Sequence, residues 1–472
     1  MLPHPHDFSQ ITPPERIRAR GACPSLSAPM ETGDGWLARL PPLAAPLEGD
    51  EVIALCEAAE RFGNGLIEVT RRGNLQLRGL AEQGHRGLAD YLDARLVRHR
   101  LTTAVAPAVS LDPLMESDEA IDDATRALAR QLRERIMTGA PAGLAAKSAV
   151  VIDSGGWGGL ATLSGDIHLR LDGGRGGWIG IAGDHQSASW LGWVVASRLA
   201  SAVNALLFEQ QQLGGRARGG DLLRHHGRFG LCDMLGCRLG DPPPRSGVTA
   251  GPDGHARHQR NLLDVVWPFG QLEALALLRF TRRARELGAL AFAAAPHRHW
   301  RILCHEHADL GAIAAVAAEA GLIVAADDPR LAIVACSGAP ACASARFSTR
   351  DGGRALVPVW SRLFDKSVGV HLSGCHKGCA SLDPCSFTLV GRDDGIGLVF
   401  DGNPRGVSRP VAASIEALRP AFEHLARRLA AQGLVLPLSA AVLSEVGEER
   451  VVTLLREGSG WHAAADGEGS TG

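Results

Sequence analysis

Apolar positions along the chain switch between two periods, and the switches predict its elements. Val52, Leu55, Cys56, Ala59 and Phe62 recur at helical spacing, which predicts an amphipathic helix over Glu51 to Phe62, ended by Gly63 and Gly65. The next stretch, Leu66 to Leu80, alternates and reads as one strand. On that reading Thr70, Arg72, Asn74, Gln76 and Arg78 share one face. Val69, Leu75 and Leu77 take the other, with Arg71 and Gly73 interrupting. Such a strand is either a solvated sheet face or a binding surface dense in donors, two of them guanidinium groups suited to carboxylates.

The same succession returns about half a chain later. Leu272, Leu275, Ala276 and Phe280 mark a helix that Gly288 ends, and Leu290 to Leu303 reads as a strand carrying Pro296-His297-Arg298-His299-Trp300. Setting Arg298 on Arg72 aligns helix with helix and strand with strand, at an offset of 226 residues. A unit repeated once in this way predicts two pseudo-equivalent halves. Between the repeats, Ala120 to Met137 reads as a helix, Ala149 to Asp153 and Asp166 to Leu171 as strands, and Trp190 to Leu213 as a long helix. Later, Ala312 to Ala320 is helical, Leu331 to Ala335 and Val368 to Leu372 are buried strands, and Phe422, Leu425 and Leu429 mark a late helix. Gly240 to Gly254, with three consecutive prolines, reads as a linker.

Composition narrows the class. The chain has 472 residues, 45% hydrophobic and 21% charged, which suits several globular domains. A net charge of −2 supplies no general attraction to nucleic acid or anionic membrane. Met1-Leu2-Pro3-His4-Pro5-His6 lacks the basic-then-apolar pattern of an export signal, and no apolar run is long enough to span a bilayer. The ten cysteines are therefore expected as thiols or metal ligands in a reducing compartment, with the cytoplasm the default.

Two short turns concentrate the chemistry. Ala335-Cys336-Ser337-Gly338-Ala339-Pro340-Ala341-Cys342 carries two cysteines with five residues between them. Ser373-Gly374-Cys375-His376-Lys377-Gly378-Cys379-Ala380 carries two with three between, 32 residues further on. Four thiolates on turns rich in small residues suit an iron–sulfur cluster, because such turns let backbone N–H groups close on the inorganic sulfurs. A structural zinc site and ordinary buried thiols are the alternatives, although five intervening residues exceed the usual zinc spacing. Cys385, six residues after Cys379, repeats the wider spacing and is an alternative ligand. Only three of the 49 basic residues are lysine, namely Lys147, Lys366 and Lys377, and the last lies inside the second cysteine turn. Gly156-Trp157-Gly158-Gly159-Leu160-Ala161 follows a strand but precedes no helix, so it reads as a hairpin and not a dinucleotide loop. His305-Glu306-His307 and the His297/His299 pair lack helical metal-site spacing.

At the cysteine turns, the polar strand and the repeat, the chain resembles the nitrite/sulfite reductase superfamily over roughly residues 20 to 400. That resemblance implies an α+β fold of two pseudo-symmetric halves, each with a ferredoxin-like half-domain and a larger α/β domain. The implied division is an arm at 1–19, half-domains at 20–105 and 259–328, α/β domains at 106–239 and 329–462, a linker at 240–258 and a disordered tail at 463–472. It also implies a [4Fe-4S] cluster on Cys336, Cys342, Cys375 and Cys379 beside a tetrapyrrole site. Thr70, Arg72 and Gln76 match the superfamily's polar strand, and Lys147 a lysine facing the anionic ligand.

Within the superfamily, the chain is more similar to the precorrin-hydroxylating monooxygenases of aerobic cobalamin synthesis. Gly21-Ala22-Cys23-Pro24, Thr32-Gly33-Asp34-Gly35, Pro268-Phe269-Gly270 and the two cysteine turns carry that likeness. Sirohaem reductases usually have Pro-Asn where His376-Lys377 stands and a second lysine where Ala149 stands. A sirohaem-dependent sulfite or nitrite reductase is thus the alternative. The likeness implies C20 hydroxylation of precorrin-3A and a γ-lactone with its ring A acetate. It further implies O2, NAD(P)H as electron source, directly or through a separate reductase, and a mononuclear non-haem iron. The ligands of that iron are left open, with His376, His297 and His305 as candidates. Arg72, Lys147 and Lys377 are the expected catalytic residues, and Thr70, Gln76, Arg78 and Arg298 are expected to complete the substrate contacts. The usual Arg-Asn before the loop Thr103-Ala104-Val105-Ala106-Pro107 is missing.

Overall fold

The computed structural model describes residues 24–82, 84–99, 101, 106–242 and 261–462. The expected arm, Gly21-Ala22-Cys23, Thr103-Ala104-Val105, most of the linker and the expected tail lie outside the described residues.

The first helix runs Gly49–Phe62 and begins with a reciprocal capping box, in which Glu51 accepts the Glu48 N–H at 2.7 Å. It buries Val52, Leu55, Cys56 and Ala59, the stripe read from the sequence. The stretch read as one strand is broken. Leu66–Val69 and Leu75–Leu80 are antiparallel partners, and Thr70 to Asn74 is the turn joining them. Gly73 adopts φ +76 there, and a Cβ on it would stand 2.8 Å from the Ala295 carbonyl carbon. The second copy breaks likewise into Ala289–Ala295 and His299–Cys304, with His297 and Arg298 at φ 61 and 69 in the turn. The two turns meet each other, since His297 N donates to the Arg71 carbonyl at 2.7 Å.

The two half-domains exchange strands. Gln271–Glu273 adds to the sheet of Met30–Thr32, Gly35–Arg39, Leu75–Leu80 and Leu66–Val69. Leu47–Glu48 in return adds to the sheet of Leu262–Val266, His299–Cys304 and Ala289–Ala295. One core holds both halves: Val52, Leu55, Ile67 and Leu77 from the first pack with Trp267, Phe280, Phe292 and Trp300 from the second.

The α/β domains repeat one topology. Ala108–Leu111, Ala149–Asp153 and Gly165–Leu171 are parallel neighbours, followed by antiparallel Gly176–Gly183 and Ser189–Val195. Ile333–Ala335, Val370–Ser373, Cys385–Arg392, Gly395–Gly402 and Arg409–Ala412 follow the same order and senses. Two readings are corrected here. Trp190 to Val195 is strand, with the helix confined to Ala196–Gln212, because an unbroken apolar run does not by itself separate strand from helix. The Gly156 segment is a crossover between parallel strands instead of a hairpin, and two of its amides are already occupied. Trp157 N donates to Asp118 at 2.8 Å and Gly158 N to Asp112 at 2.7 Å. Asp112 and Asp118 follow their strand as Cys336 and Cys342 follow theirs, with the same six-residue interval.

Candidate active site

Cys336 and Cys375 leave adjacent parallel strands at the same sheet end, which brings the two turns together. Cys336 N donates to Leu372 O at 3.2 Å, and Gly374 N donates to Cys336 Sγ at 3.2 Å. Cys342 N closes the first turn on Gly338 O at 2.7 Å, with Gly338 at φ +65. A Cβ on Gly374 would stand 2.5 Å from that of Ala345, so only glycine lets the turns approach this closely. Burial raises the Cys379 thiol above its ordinary value, Cys336, Cys375 and Cys342 raise it further, and Lys147 opposes them. Cys375 is likewise raised by burial, and Cys342 and Cys336 add to it. The four sulfurs lie in one another's field.

Cys385 does not join them. It opens its strand at the level where Val370–Ser373 begins, whereas Cys375 follows that strand's end. At ~3.3 Å per residue the two stand on the order of 20 Å apart along the sheet. No three His, Cys, Asp or Glu side chains among the described residues converge closely enough to hold one metal ion. A four-iron cluster takes one sulfur per corner and needs a wider spread, so three half-buried thiols and the exposed Cys379 on glycine-lined turns suit it better than zinc.

Among the expected substrate contacts, Arg78, Arg298 and Lys377 hydrogen-bond to the segments that carry the cysteines. The Ala341 carbonyl, next to Cys342, accepts from Gly33 N at 3.1 Å and from Arg78 Nη2 at 2.6 Å. Arg78 also makes a two-point pair with Asp34 at 3.0 and 2.8 Å and lies 3.4 Å from Glu68, its side chain 2% exposed. Gln76 bridges Arg39 at 2.6 Å and Glu68 at 2.8 Å. Burial opposes ionisation of Glu68, yet Arg350 and Arg78 hold its carboxyl below the usual range. Thr70 Oγ1 accepts from Asn74 N at 3.0 Å inside the turn. Gln76 and Arg78 are buried on the strand Leu75–Leu80, while Thr70 stays half-buried in the turn that also carries Arg71 and Arg72. Lys377 Nζ donates to Ser344 Oγ at 2.9 Å and so ties one cysteine turn to the other. Arg298 Nη2 donates to Ala335 O at 2.8 Å, and burial with the neighbouring Arg350 lowers its pKa to about 10.

Arg72 differs from these. Its Nη1 donates to Ser164 O at 2.5 Å, while its Nη2 is buried with no hydrogen-bond partner. Burial lowers its pKa and Asp166 opposes that, while Arg218, Arg39 and Arg71 lower it further. Arg218 pairs with Asp166 at 2.8 and 3.0 Å, and Arg71 with Asp383. Lys147 is exposed and within electrostatic reach of Cys379. His297 Nε2 contacts Thr162 Oγ1 at 3.0 Å, and burial and Arg71 hold it neutral, its pKa down at about 4. His371 is fully buried, both ring nitrogens lack partners, and burial and Arg298 bring it down to about 4. His305 closes the far end of the strand that His297 precedes, and His376 is exposed. The sequence reading missed Arg39, Arg71, Arg218 and His371. Arg71 was visible as the charge interrupting an alternation, and His371 as a polar residue in a buried strand.

Four thiols on abutting turns and a cluster of arginines, carried by two pseudo-equivalent α+β halves, define a protein of the nitrite/sulfite reductase fold. The structure of the Mycobacterium tuberculosis NirA protein matches with a TM-score of 0.66 at 17% identity, covering 88% of this chain and 84% of that one. The family model of the nitrite/sulfite reductase ferredoxin-like half domain matches residues 28–95. A precorrin-3B synthase from Sinorhizobium sp is 37% identical over 449 residues, 93% of this chain and 95% of the relative. The chain belongs to the precorrin-3B synthase family. Among the described residues no helix is long and apolar enough to cross a membrane.

Proposed function

We propose that this chain is an oxidoreductase of cobalamin synthesis, a monooxygenase that hydroxylates precorrin-3A at C20 and closes the γ-lactone with the ring A acetate. One oxygen atom of O2 enters the product and the other leaves as water, with two electrons from NAD(P)H or a reductase it feeds. The observation that carries this reading is the meeting of the two cysteine turns, where Gly374 N donates to Cys336 Sγ at 3.2 Å, beside a group of cations: Arg71 bonds Ser381 at 2.9 Å, Lys147 is within electrostatic reach of Cys379, and Arg72 lies in the field of Arg71 and Arg218. A polyacid macrocycle needs guanidinium and ammonium partners around a hydrophobic floor. Arg72, with its unpartnered Nη2, and Lys147 take substrate carboxylates, and Arg71 and Arg218 add to the positive field. Cys336, Cys342, Cys375 and Cys379 hold a [4Fe-4S] cluster, which when bound supplies single electrons. Arg78, Arg298 and Lys377 hold the cysteine turns in place. The described residues offer no three-donor set for a mononuclear iron, and no step is assigned to one.

The test is incubation of anaerobically prepared protein with precorrin-3A, a reductant and labelled dioxygen, followed by mass spectrometry of the product. One labelled oxygen is expected. Sirohaem absorption bands in the purified protein, together with an unlabelled substrate, would overturn the reading in favour of a sulfite or nitrite reductase.

A further inference from the structure

The helix Gly219–Leu235 ends at Gly236, which adopts φ 58, ψ 37. Gly236 N donates to Asp233 O at 2.9 Å, and Cys237 N donates to Cys232 O at 3.1 Å. That pair of bonds is the Schellman ending, which brings the residue just past the turn against a residue of the last helical turn. The contact is usually apolar. Here its two members are Cys232 and Cys237, and their Sγ atoms stand 3.1 Å apart. Each sulfur also rests on the other's backbone, Cys232 Sγ at 2.9 Å from Cys237 O and Cys237 Sγ at 3.4 Å from Cys232 O. Cys232 is buried and Cys237 half-buried, so a small reagent reaches the pair from one side.

We propose that Cys232 and Cys237 form a redox-active pair that closes to an intrachain disulfide when a low-molecular-weight disulfide such as oxidised glutathione is present. One cysteine thiolate attacks the small disulfide, forming a mixed disulfide and releasing one small thiol. The second cysteine then attacks the protein sulfur of that bond and releases the other small thiol. Two S–H bonds are lost, one S–S bond forms in the protein, and the two electrons reduce the small disulfide to two thiols. The ring closure needs the sulfurs to approach by only about 1 Å from where the helix ending holds them. Burial and the Cys232 thiol push Cys237 up to about 12, so exchange is slow at neutral pH and quickens as pH rises. The helix breaks at Gly227, φ 67 and ψ 165, which separates the pair from Arg218 at the N-terminal end of the same helix.

The experiment equilibrates the full-length, anaerobically prepared protein with glutathione at a series of oxidised-to-reduced ratios. Alkylation, digestion without reductant and peptide mapping follow. Wild type is expected to give a peptide joined through Cys232 and Cys237, with no glutathione on either. In Cys232→Ser, Cys237 is expected to carry a glutathione adduct that wild type lacks. Free, alkylated Cys232 and Cys237 at the most oxidising ratio would overturn the proposal. So would a stable glutathione adduct on wild type, or a bond from either residue to a different cysteine. Cys237→Ala, read by the same mapping, guards against misfolding of the first variant, and Cys56 and Cys304, both buried, should stay unmodified in every sample.

Discussion

Replacing Arg78 by methionine removes a buried cation and keeps most of its apolar stem. The guanidinium is 2% exposed and satisfies the Asp34 carboxylate twice, Glu68 once and the Ala341 carbonyl once. Without it Asp34 and Glu68 keep charges in a site where Arg350 is the ion-pair partner left to Glu68, beside the amides of Gln76 and Gln271. Breaking a buried pair from one side costs roughly 3–5 kcal/mol, out of a total stability of roughly 5–15 kcal/mol for a domain. The loss falls on one end of the first cysteine turn, because Ala341 precedes Cys342. Two assays follow: the denaturant midpoint, and the iron and acid-labile sulfide retained after purification. Both should fall in Arg78→Met, and re-adding iron and sulfide should restore less cluster than in wild type. In the parallel variant Arg72→Ala both should fall less, since Arg72 gives up one hydrogen bond, Nη1 to Ser164 O, and no contact to a cysteine turn. An Arg78→Met protein with unchanged midpoint and full cluster would refute the brace and return Arg78 to the substrate rim.

Arg72→Ala should weaken substrate binding, with loss of one charged hydrogen bond worth about 1.5–3 kcal/mol, or roughly 10- to 100-fold in Kd; titration with a tetrapyrrole polyacid measures it. Cys385→Ser should retain cluster and turnover, whereas Cys375→Ser should lose both, as read by visible absorption and sulfide analysis. Burial raises Asp112 to about 6 from 3.8. The stability its proton contributes is therefore complete below 3.8 and is lost as pH rises through 6, and Asp112→Asn should flatten that part of a melting-temperature profile. Glu51 runs the other way. Burial opposes its charge, but His99, Arg98 and the Glu48 N–H bring it down to about 2. Its contribution is present above 4.5 and fails as pH falls toward 2, and Glu51→Gln should remove that acid-side loss.

The helices over 49–62 and 274–286 and the strands that deliver the cysteines were legible because each carries an unambiguous period or a short apolar run next to a turn. The repeat was legible too, although thin in identity. What the period could not show was the turn inside Leu66 to Leu80. Thr70, Arg72, Gln76 and Arg78 keep their alternation across it, so a hairpin and a long strand share one pattern. The break follows from Gly73, whose positive φ and close approach to Ala295 are tertiary facts. The strand exchange through Leu47–Glu48 and Gln271–Glu273 was equally hidden, since two or three residues carry no period. Chemistry divided the same way. Cysteine spacing marks two turns that the sheet then brings together, whereas an arginine declares its task only through the partners it has or lacks. Arg72 and Arg78 are alike in sequence and opposite in place.

Iron and acid-labile sulfide, counted per chain in protein prepared without air and read with its electron paramagnetic resonance before and after reduction, bear most directly on the four-cysteine centre. About four inorganic sulfides with at least as many irons, and a signal that reduction switches on or off, are the outcome predicted for a [4Fe-4S] centre on Cys336, Cys342, Cys375 and Cys379. Zinc in place of iron, or protein free of sulfide and silent at every potential, would contradict it.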